Sequence, residues 1–300
     1  MTLDESKAPI CLFLRGGLGN QILQFAYIIH LSNASKRQHK LYYTLPPFED
    51  IWSVIRQNTQ RKVMLPVGPA AGFTRCCYPS LKSILRIISK VTCLRLLTDS
   101  GTATYHLAQL ESHFTLPVFL GYFHRTECFS SLTKLFWLQI YQSFRSMYSY
   151  TPHKTGNIAM HIRLGDYLNS KNSKIYSLIP INDQVSRCLN SPLCDIRTSK
   201  IDIFTDNPAF VSHNLDRNYY PYVNIRPAKD PIEDLVTLAS YRLIWGSNST
   251  FSLCAGRISS LIYNTQTLVL PPRWFNSSPI NDIEMKKWRS LDFVIGLPPI

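Results

Sequence analysis

Strand and helix patterns alternate along the second half of the chain, and this alternation restricts the possible fold strongly. Short apolar runs predict strands at 157–162, 201–205, 219–225, 242–247 and 267–270. Helical periodicity between these runs predicts helices at 180–190, 208–214, 231–241 and 250–261. Because regular alternation of strands and helices is typical of parallel sheets, we expect a doubly wound α/β domain here.

The first half of the chain begins in the same way, with an apolar run at 10–14 and a helical pattern from residue 21 to about residue 35. The apolar pattern breaks at 150–156, where proline, glycine and polar residues replace it. A length of 300 residues is sufficient for two α/β domains of ordinary size. The sequence therefore predicts two domains, residues 1–155 and residues 156–300.

The segment 161–167 carries polar side chains directly after a predicted strand. In open α/β sheets, ligands bind outside the carboxyl ends of the strands. Arg163 supplies a permanently charged fork that suits a phosphate, while His161 and Asp166 are suited to proton transfer. The alternative is a strand followed by a surface turn, in which Arg163 pairs with Asp166.

Two further strands end in polar residues. Asp206 follows the strand at 201–205 and is placed to accept hydrogen bonds from a base or a ribose, or to cap a helix at Pro208. Asn248, Ser249 and Thr250 lie between a strand and a helix. Capping needs one such side chain, so this cluster favours an anion cradle at a helix N-terminus.

The glycine-rich loop 16–20 also joins a strand to a helix, and its glycines permit close approach to a phosphate. It lacks the third glycine of a dinucleotide-binding loop, because Ile22 stands at that position. It also lacks the Gly-Lys-Ser/Thr ending of a P-loop. Taken alone, this loop is best interpreted as a tight strand-to-helix turn.

The formal net charge of +13 favours anionic partners, namely nucleotides, nucleic acid or an anionic membrane surface. Clustered basic and aromatic residues are absent, so we expect no nucleic-acid partner. The eight cysteines show no metal-binding spacing, and no Asp-x-Asp pair occurs, so we expect no metal. The N-terminal residues are polar, which predicts a cytoplasmic protein.

The segment 81–97 has helical period, with Lys82, Arg86 and Lys90 on one side. Such a helix fits the surface of an anionic leaflet, which would give a peripheral contact with the cytoplasmic face of the membrane. It fits a scaffold helix with a solvated basic face better, because such helices are common. Both interpretations stay open at this stage.

Several short segments, in their order along the chain, resemble the α-1,2-fucosyltransferases of glycosyltransferase family 11. These are 16–21 with 24–26, 121–123, 161–167, 204–206, 233–235, 248–252 and 271–275. The resemblance implies a GT-B-like fold, with two Rossmann-like domains that face each other across a cleft. It also implies inverting transfer of L-fucose from GDP-β-L-fucose to the 2-hydroxyl of a galactose residue, with no metal or other cofactor.

The resemblance further assigns roles to individual residues. It places Arg163 at the donor phosphates and His161 with Asp206 near the nucleoside. The remaining donor-binding residues that it implies are Asn248, Ser249 and Thr250 in the second domain and Gly17, Gly19 and Asn20 in the first. Acceptor-side residues follow from the segment after 121, and these are Tyr122, Phe123 and His124. The acceptor would be a galactose-containing oligosaccharide or a lipid-linked glycan.

The chain departs from the family pattern at Leu164, where most members carry a second arginine. We take Asp166 as the candidate catalytic base, with orientation of Arg163 or Tyr167 as its alternative role. Three other functions stay open: a GT-B transferase with another nucleotide-sugar donor or linkage, a nucleotide-sugar-binding protein without activity, and, more distantly, a basic nucleic-acid-binding protein.

Overall fold

The structure, a computed structural model, describes residues 8–14, 16–35, 39–44, 74–75, 94–98, 106, 116–148, 158–168, 172–195 and 200–295. The chain divides into two compact units, Met1–Ser143 and Phe144–Ile300. This division falls earlier than the predicted boundary at 155/156. The exact position of that boundary stays a prediction, because residues 149–157 lie outside the described part of the chain.

The first unit is built on a five-stranded sheet in which the strand pairs are parallel. Its strands are β1 (Ala8–Phe13), β2 (His39–Thr44), β3 (Thr74–Arg75), β4 (Leu94–Thr98) and β5 (Leu116–Leu120). Their spatial order is β3-β2-β1-β5-β4. Helix α1 (Leu18–Ala34) follows β1, and helix α2 (Lys134–Met147) follows two short 3₁₀ helices, Thr126–Phe129 and Ser131–Thr133.

The second unit is built on another five-stranded parallel sheet. Its strands are β6 (Ile158–Ile162), β7 (Ile201–Thr205), β8 (Val223–Ile225), β9 (Ile244–Trp245) and β10 (Leu268–Val269). The helices between and after them are α3 (Ile181–Leu189), α4 (Pro208–Asn214), α5 (Pro231–Ala239), α6 (Thr250–Tyr263) and α7 (Ser278–Arg289). Shorter 3₁₀ helices span Gly165–Leu168, Asn172–Lys174 and Arg217–Tyr222.

The strand order of each sheet contains one point at which the chain changes direction. The second sheet is ordered β10-β9-β6-β7-β8, so β7 and β8 build outward on one side of β6 and the chain then returns to place β9 on its other side. In the first sheet the corresponding change lies between β1 and β5. Ligands of doubly wound sheets bind in the crevice at this point, outside the carboxyl ends of the strands.

The α/β class, and a Rossmann-like parallel sheet in each of two units, are confirmed. Every residue of β6 and β7 is buried, which explains why their sequences are almost continuously apolar. The strand predicted at 219–225 is shorter than expected. Residues Arg217–Tyr222 form a 3₁₀ helix with Pro221 inside it, and proline has no N–H to donate to a strand ladder.

The helix predicted at 81–97 is wrong at its C-terminal end. Residues Leu94–Thr98 form β4, which pairs with β5 from Leu94 opposite Leu116 to Thr98 opposite Leu120. A short leucine-rich run fits either a helix or a strand, and here the neighbouring strand decides. Residues 81–93, with Lys82, Arg86 and Lys90, lie outside the described part. The predicted membrane contact and the cytoplasmic location therefore stay predictions.

None of the helices that the structure describes is both long and apolar enough to cross a membrane.

Candidate active site

Three polar segments that are distant in sequence meet at the point where the second sheet changes direction. The end of β6 carries His161 to Gly165, the end of neighbouring β9 leads into Ser247 to Thr250, and the end of β7 carries Asp206. Because all of these strands are parallel, their carboxyl ends lie along the same edge of the sheet. This edge is therefore the candidate active site of the second unit.

Asp206 fixes both the side chain and the backbone of the loop after β6. Its Oδ2 accepts a hydrogen bond from Arg163 Nη1 at 2.6 Å. Its Oδ1 accepts hydrogen bonds from the backbone N–H groups of Leu164 and Gly165, each at 3.0 Å. The two charged side chains keep 29% and 20% of their surface exposed, so the pair lies at the edge of solvent. Asp206 thus orients the arginine through a contact within the protein.

The structure addresses two alternatives that the sequence left open, namely a surface ion pair for Arg163 and a helix-capping role for Asp206. Arg163 forms an ion pair with Asp206, which lies 43 positions later in the sequence. Asn207 caps α4, since its side chain accepts the N–H of Phe210 at 3.1 Å. The alternative role of Asp206 as the helix cap is therefore wrong. Its predicted contact with a base or a ribose stays a prediction.

We expect Asp206→Asn to lower the free energy of unfolding, because the substituted amide keeps the shape but loses the charge that holds the arginine and two N–H groups. Hydrogen bonds to charged groups contribute about 1.5–3 kcal/mol each, and this pair is partly exposed, so we expect a loss of about 1–2 kcal/mol. Urea denaturation measures it. The matched control is Asp282→Asn, at an exposed position on α7. Equal midpoints for the two variants would contradict the anchoring role.

His161 is buried within the second unit, with 7% of its surface exposed. Its Nδ1 lies 2.7 Å from Ser252 Oγ and 3.0 Å from Ser247 Oγ. Burial is the main cause that lowers the pKa of His161 well below its usual value, opposed by the nearby charge of Asp206 and reinforced by Arg163. The imidazole is therefore neutral at pH 7, which makes it a fixed hydrogen-bonding group and not a cationic acid.

The predicted anion cradle lies at the N-terminus of α6. Ser249 caps this helix, because its Oγ accepts the N–H of Phe251 at 3.2 Å, and Thr250 begins it. A helix N-terminus presents backbone N–H groups and partial positive charge, which favour an anion. Ser249 and Thr250 are thus placed where the sequence predicted them, at a position suited to a phosphate.

Asn248 has a different position from the one expected. It is 4% exposed, and its side-chain amide donates to the carbonyl groups of Ser177 at 3.0 Å and Trp274 at 2.9 Å. Its own carbonyl accepts the hydroxyl of Tyr167 at 2.8 Å. Both amide hydrogens are used within the protein, so the side chain of Asn248 braces three loops and has no hydrogen left for a phosphate.

The structure tests the prediction for one of two further residues of the segment after β6, Leu164, but not the prediction for the other, Asp166. Asp166 lies in the 3₁₀ helix Gly165–Leu168, but its side chain is outside the described part, so its role as the base stays a prediction. Leu164 is 1% exposed and belongs to the hydrophobic core of the second unit. The side chain at position 164 therefore faces the core in this chain.

The first unit has its own group of predicted residues, at the ends of β1 and β5. His124 Nε2 lies 2.9 Å from Asn20 Oδ1. Gly16 has a φ of 76°, and a Cβ at this position would meet Asn20 Nδ2 at 2.5 Å and Tyr122 Cε1 at 2.9 Å. Only glycine fits there. In contrast, Gly17 is exposed, and a Cβ at this position would meet no other atom within 4 Å.

The predicted donor-binding glycines are Gly17 and Gly19, whereas the position in this loop that requires glycine is Gly16. Gly19 is buried in the first turn of α1. The sequence of the loop does not distinguish Gly16, Gly17 and Gly19. Glycine is required at position 16 because of the side chains of Asn20 and Tyr122, which follow later in the chain.

Phe123 connects the predicted acceptor-side segment to the core of the first unit. It has a φ of 48°, which is uncommon for a bulky residue, and it is fully buried. Its ring stacks on Tyr27 with centroids 5.1 Å apart, and Phe119 contacts it edge-on. Phe123 is thus a core residue whose unusual backbone turns the chain. Tyr122, 40% exposed, remains a candidate acceptor contact.

Asp234, which is not among the predicted site residues, lies in the first turn of α5, the helix that follows the carboxyl end of β8. Burial raises the pKa of its carboxyl group to about 6, and the N–H of Lys229 donates to its Oδ2 at 3.3 Å. Perturbed carboxylates at a strand-end crevice are candidate functional groups. Asp234 lies within segment 233–235, which is one of the segments that resemble family 11, so the sequence did contain a signal for this residue.

Among the residues that the structure describes, no group of three His, Cys, Asp or Glu side chains is arranged to hold a metal ion.

No family model matches the sequence, and no curated protein matches it. Similar solved structures include a mutant of Arabidopsis thaliana FUT1 in complex with GDP, at 13% identity over 87% of this chain and 70% of that chain, with a TM-score of 0.49. The fucosyltransferase NodZ from Bradyrhizobium is 14% identical over 83% and 92%, with a TM-score of 0.47.

The E. coli heptosyltransferase WaaC with ADP is 9% identical over 87% of this chain and 86% of that chain, with a TM-score of 0.42.

Proposed function

We propose that the protein is a fucosyltransferase that moves L-fucose from GDP-β-L-fucose, with inversion, to the 2-hydroxyl of a galactose residue in a glycan. The observation that carries this proposal is that the Arg163–Asp206 pair, at the ends of β6 and β7, and the N-terminus of α6, after neighbouring β9, share one edge of the second sheet. This combination supplies a fixed guanidinium and a helix N-terminus, two groups that a sugar diphosphate needs.

Cleavage of the glycosidic C–O bond places negative charge on the departing GDP. In the proposed complex, Ser249, Thr250 and the N–H groups of α6 bind the diphosphate, and Arg163 donates to the phosphate that carries the new charge. Groups already oriented toward developing charge stabilise the transition state without the cost of reorganisation. The three hydrogen bonds accepted by Asp206 provide that orientation.

The proposed identity of the sugar, the nucleotide and the linkage is supported by the ordered resemblance of the strand-end segments to family 11. The acceptor, a galactose-containing oligosaccharide or a lipid-linked glycan, is assigned to the group around Tyr122, His124 and Asn20 of the first unit. An exposed aromatic ring beside hydrogen-bonding side chains suits a sugar, which has apolar faces and polar edges.

We propose that the reaction needs no metal, because the guanidinium, the helix N-terminus and hydroxyl groups can balance the charge of the diphosphate. Transfer is then expected to continue unchanged when EDTA is present. A loss of transfer in EDTA that Mg²⁺ or Mn²⁺ restores would contradict this part of the proposal.

Asp166 is the proposed base that accepts the proton of the acceptor hydroxyl. For Asp166→Asn we expect turnover to fall by about 10²–10⁴-fold while the affinity for GDP stays unchanged. Isothermal titration with GDP and a turnover assay separate the two effects. If turnover is retained, Asp166 is not the base; if affinity falls with turnover, it positions Arg163 instead.

The experiment that tests the function is a transfer assay with mass detection, using a set of nucleotide sugars against galactose-terminated acceptors, followed by determination of the linkage. We expect transfer from GDP-fucose and an α-1,2 linkage. Transfer from another donor, or another linkage, would favour a different GT-B enzyme. Binding of GDP without transfer to any acceptor would favour a nucleotide-sugar-binding protein.

A further inference from the structure

Helix α7 exposes two large apolar side chains to solvent. Ile280 and Ile283 are 56% and 72% exposed, and the second value is the highest among the exposed large hydrophobic side chains that the structure describes. The two residues are three positions apart, so they are neighbours on the helix surface. A single exposed apolar side chain is common in proteins, whereas apolar neighbours bordered by polar groups mark an interaction surface.

Basic side chains continue this row toward the C-terminus of the helix. Lys286 follows Ile283 by three positions and Arg289 follows Lys286 by three, so the row is continuous along the helix surface. Both basic residues are exposed. Among the residues that the structure describes, neither forms an ion pair, in contrast to Lys287, which pairs with Glu284 at 2.6 Å. The row is thus apolar in its first half and cationic in its second half.

A cavity of about 560 Å³ lies beside the cationic half of the row. Lys286 and Arg289 line it, together with one acidic side chain among its described lining residues, that of Asp282. Two positive charges therefore face one negative charge, and the cavity favours an anion. Its volume is in the range of pockets that hold small ligands, so a phosphate group has room to enter.

Arg187 on α3 adds a third positive charge near Arg289. Its Nε is buried and has no hydrogen-bond partner in the part of the chain that the structure describes. The pKa of Arg187 is lowered from its usual value, mainly by burial and then by the charge of Arg289, while Asp183 opposes the shift. Like charges held near each other repel, and an anion bound beside Arg289 would reduce this repulsion.

We propose that the α7 surface (Ile280, Ile283, Lys286 and Arg289) is a docking surface for an anionic membrane. The two isoleucines enter the boundary between the headgroups and the acyl chains, and the two basic side chains bind lipid phosphate groups. Apolar and cationic side chains in one row match the two layers that a peripheral helix meets at a bilayer.

A bilayer fits this surface better than a protein partner does. A stable protein interface buries about 1,200–2,000 Å² in total around an apolar centre, and two isoleucines do not supply such a centre. A bilayer has no such requirement, because each inserted side chain is surrounded by lipid. The inference goes beyond the transfer reaction, and it gives the expected peripheral contact a different location from segment 81–97.

The test is cosedimentation of the whole chain with phosphatidylcholine vesicles that contain or lack phosphatidylserine. We expect wild type to bind the anionic vesicles more tightly. Ile283→Ser should lower this binding about fivefold to thirtyfold through lost apolar burial. Lys286→Ala/Arg289→Ala should lower it about tenfold to thirtyfold through lost attraction. If wild type binds neither vesicle, or if both variants bind like wild type, the inference is overturned.

Each variant has a matched control. Leu135→Ser removes an apolar side chain of similar exposure, 67%, from α2 of the first unit. Lys200→Ala/Arg242→Ala removes two exposed basic side chains, which lie just before β7 and β9. We expect both controls to bind the vesicles within about twofold of wild type. A control that loses as much binding as its matched variant overturns the inference, because general hydrophobicity or net charge would then explain the binding.

A second measurement separates a lipid headgroup from a free anion. Inorganic phosphate is titrated calorimetrically into wild type and into Lys286→Ala/Arg289→Ala. Binding of phosphate to wild type alone, combined with no binding to vesicles, would show that the cavity holds a free anion, and it would overturn the membrane proposal. Circular dichroism is expected to show an unchanged fold in each variant, because all of the substituted side chains are exposed.

Discussion

Replacing Arg163 with alanine is expected to lower turnover by about 10²–10³-fold, which corresponds to about 2.7–4 kcal/mol of transition-state stabilisation. The guanidinium is held by Asp206 at the edge of solvent, so its removal takes away a donor that needs no reorganisation. The fold should persist, because the side chain is not part of the hydrophobic core. Steady-state kinetics with the donor and acceptor identified by the transfer assay measure the effect.

Two further variants make the result specific. Arg163→Lys keeps the positive charge but loses the planar fork, and we expect an intermediate loss, because a lysine offers a point charge in place of two parallel N–H groups. Arg242→Ala removes an exposed arginine just before β9, on the opposite edge of the sheet, and should leave turnover unchanged. Near wild-type turnover of Arg163→Ala would show that another group balances the charge of the leaving group.

The second large effect is expected for Leu164→Arg, which introduces a second arginine directly after Arg163. Leu164 is 1% exposed and packs in the core of the second unit, so an arginine there places an unpaired charge among apolar side chains. We expect the free energy of unfolding to fall by about 3–5 kcal/mol. Chemical denaturation followed by circular dichroism measures this change.

Leu164→Met is the control for this substitution, because methionine has a similar volume and no charge. Its expected cost is below about 1.5 kcal/mol. If Leu164→Arg unfolds at the same denaturant concentration as Leu164→Met, the side chain at this position reaches solvent and the loop after β6 is built differently. If it also binds GDP more tightly, the position belongs to the donor site.

Most strands and helices of the second unit could be predicted because their signals are local. Strands β6 and β7 are buried on both faces and read as apolar runs, and the prolines at 208 and 231 begin their helices. The segment 94–98 was not predictable in this way. Its leucines fit both periods, and the outcome depends on β5, more than 20 residues later in the chain.

The residues of the candidate site also fall into two groups, those placed by local sequence signals and those whose roles depend on distant partners. The positions of Arg163, Ser249 and Thr250 could be predicted from the sequence, because the end of a strand and the start of a helix determine where they lie, whereas their roles stay predictions. The roles of Asp206 and Asn248 could not, because each depends on partners between 26 and 81 residues away. A carboxylate or an amide looks the same in a sequence whether it binds a ligand or a backbone.

The carboxylate of Asp206 joins two strand ends that are 43 positions apart in sequence, through one side chain and two backbone groups. Such an arrangement constrains how the gene can change. A mutation at either Arg163 or Asp206 alone leaves a charge without its partner, whereas paired changes can restore it. We expect these two codons to vary together among natural relatives, and the acid to be retained wherever the loop after β6 keeps its length.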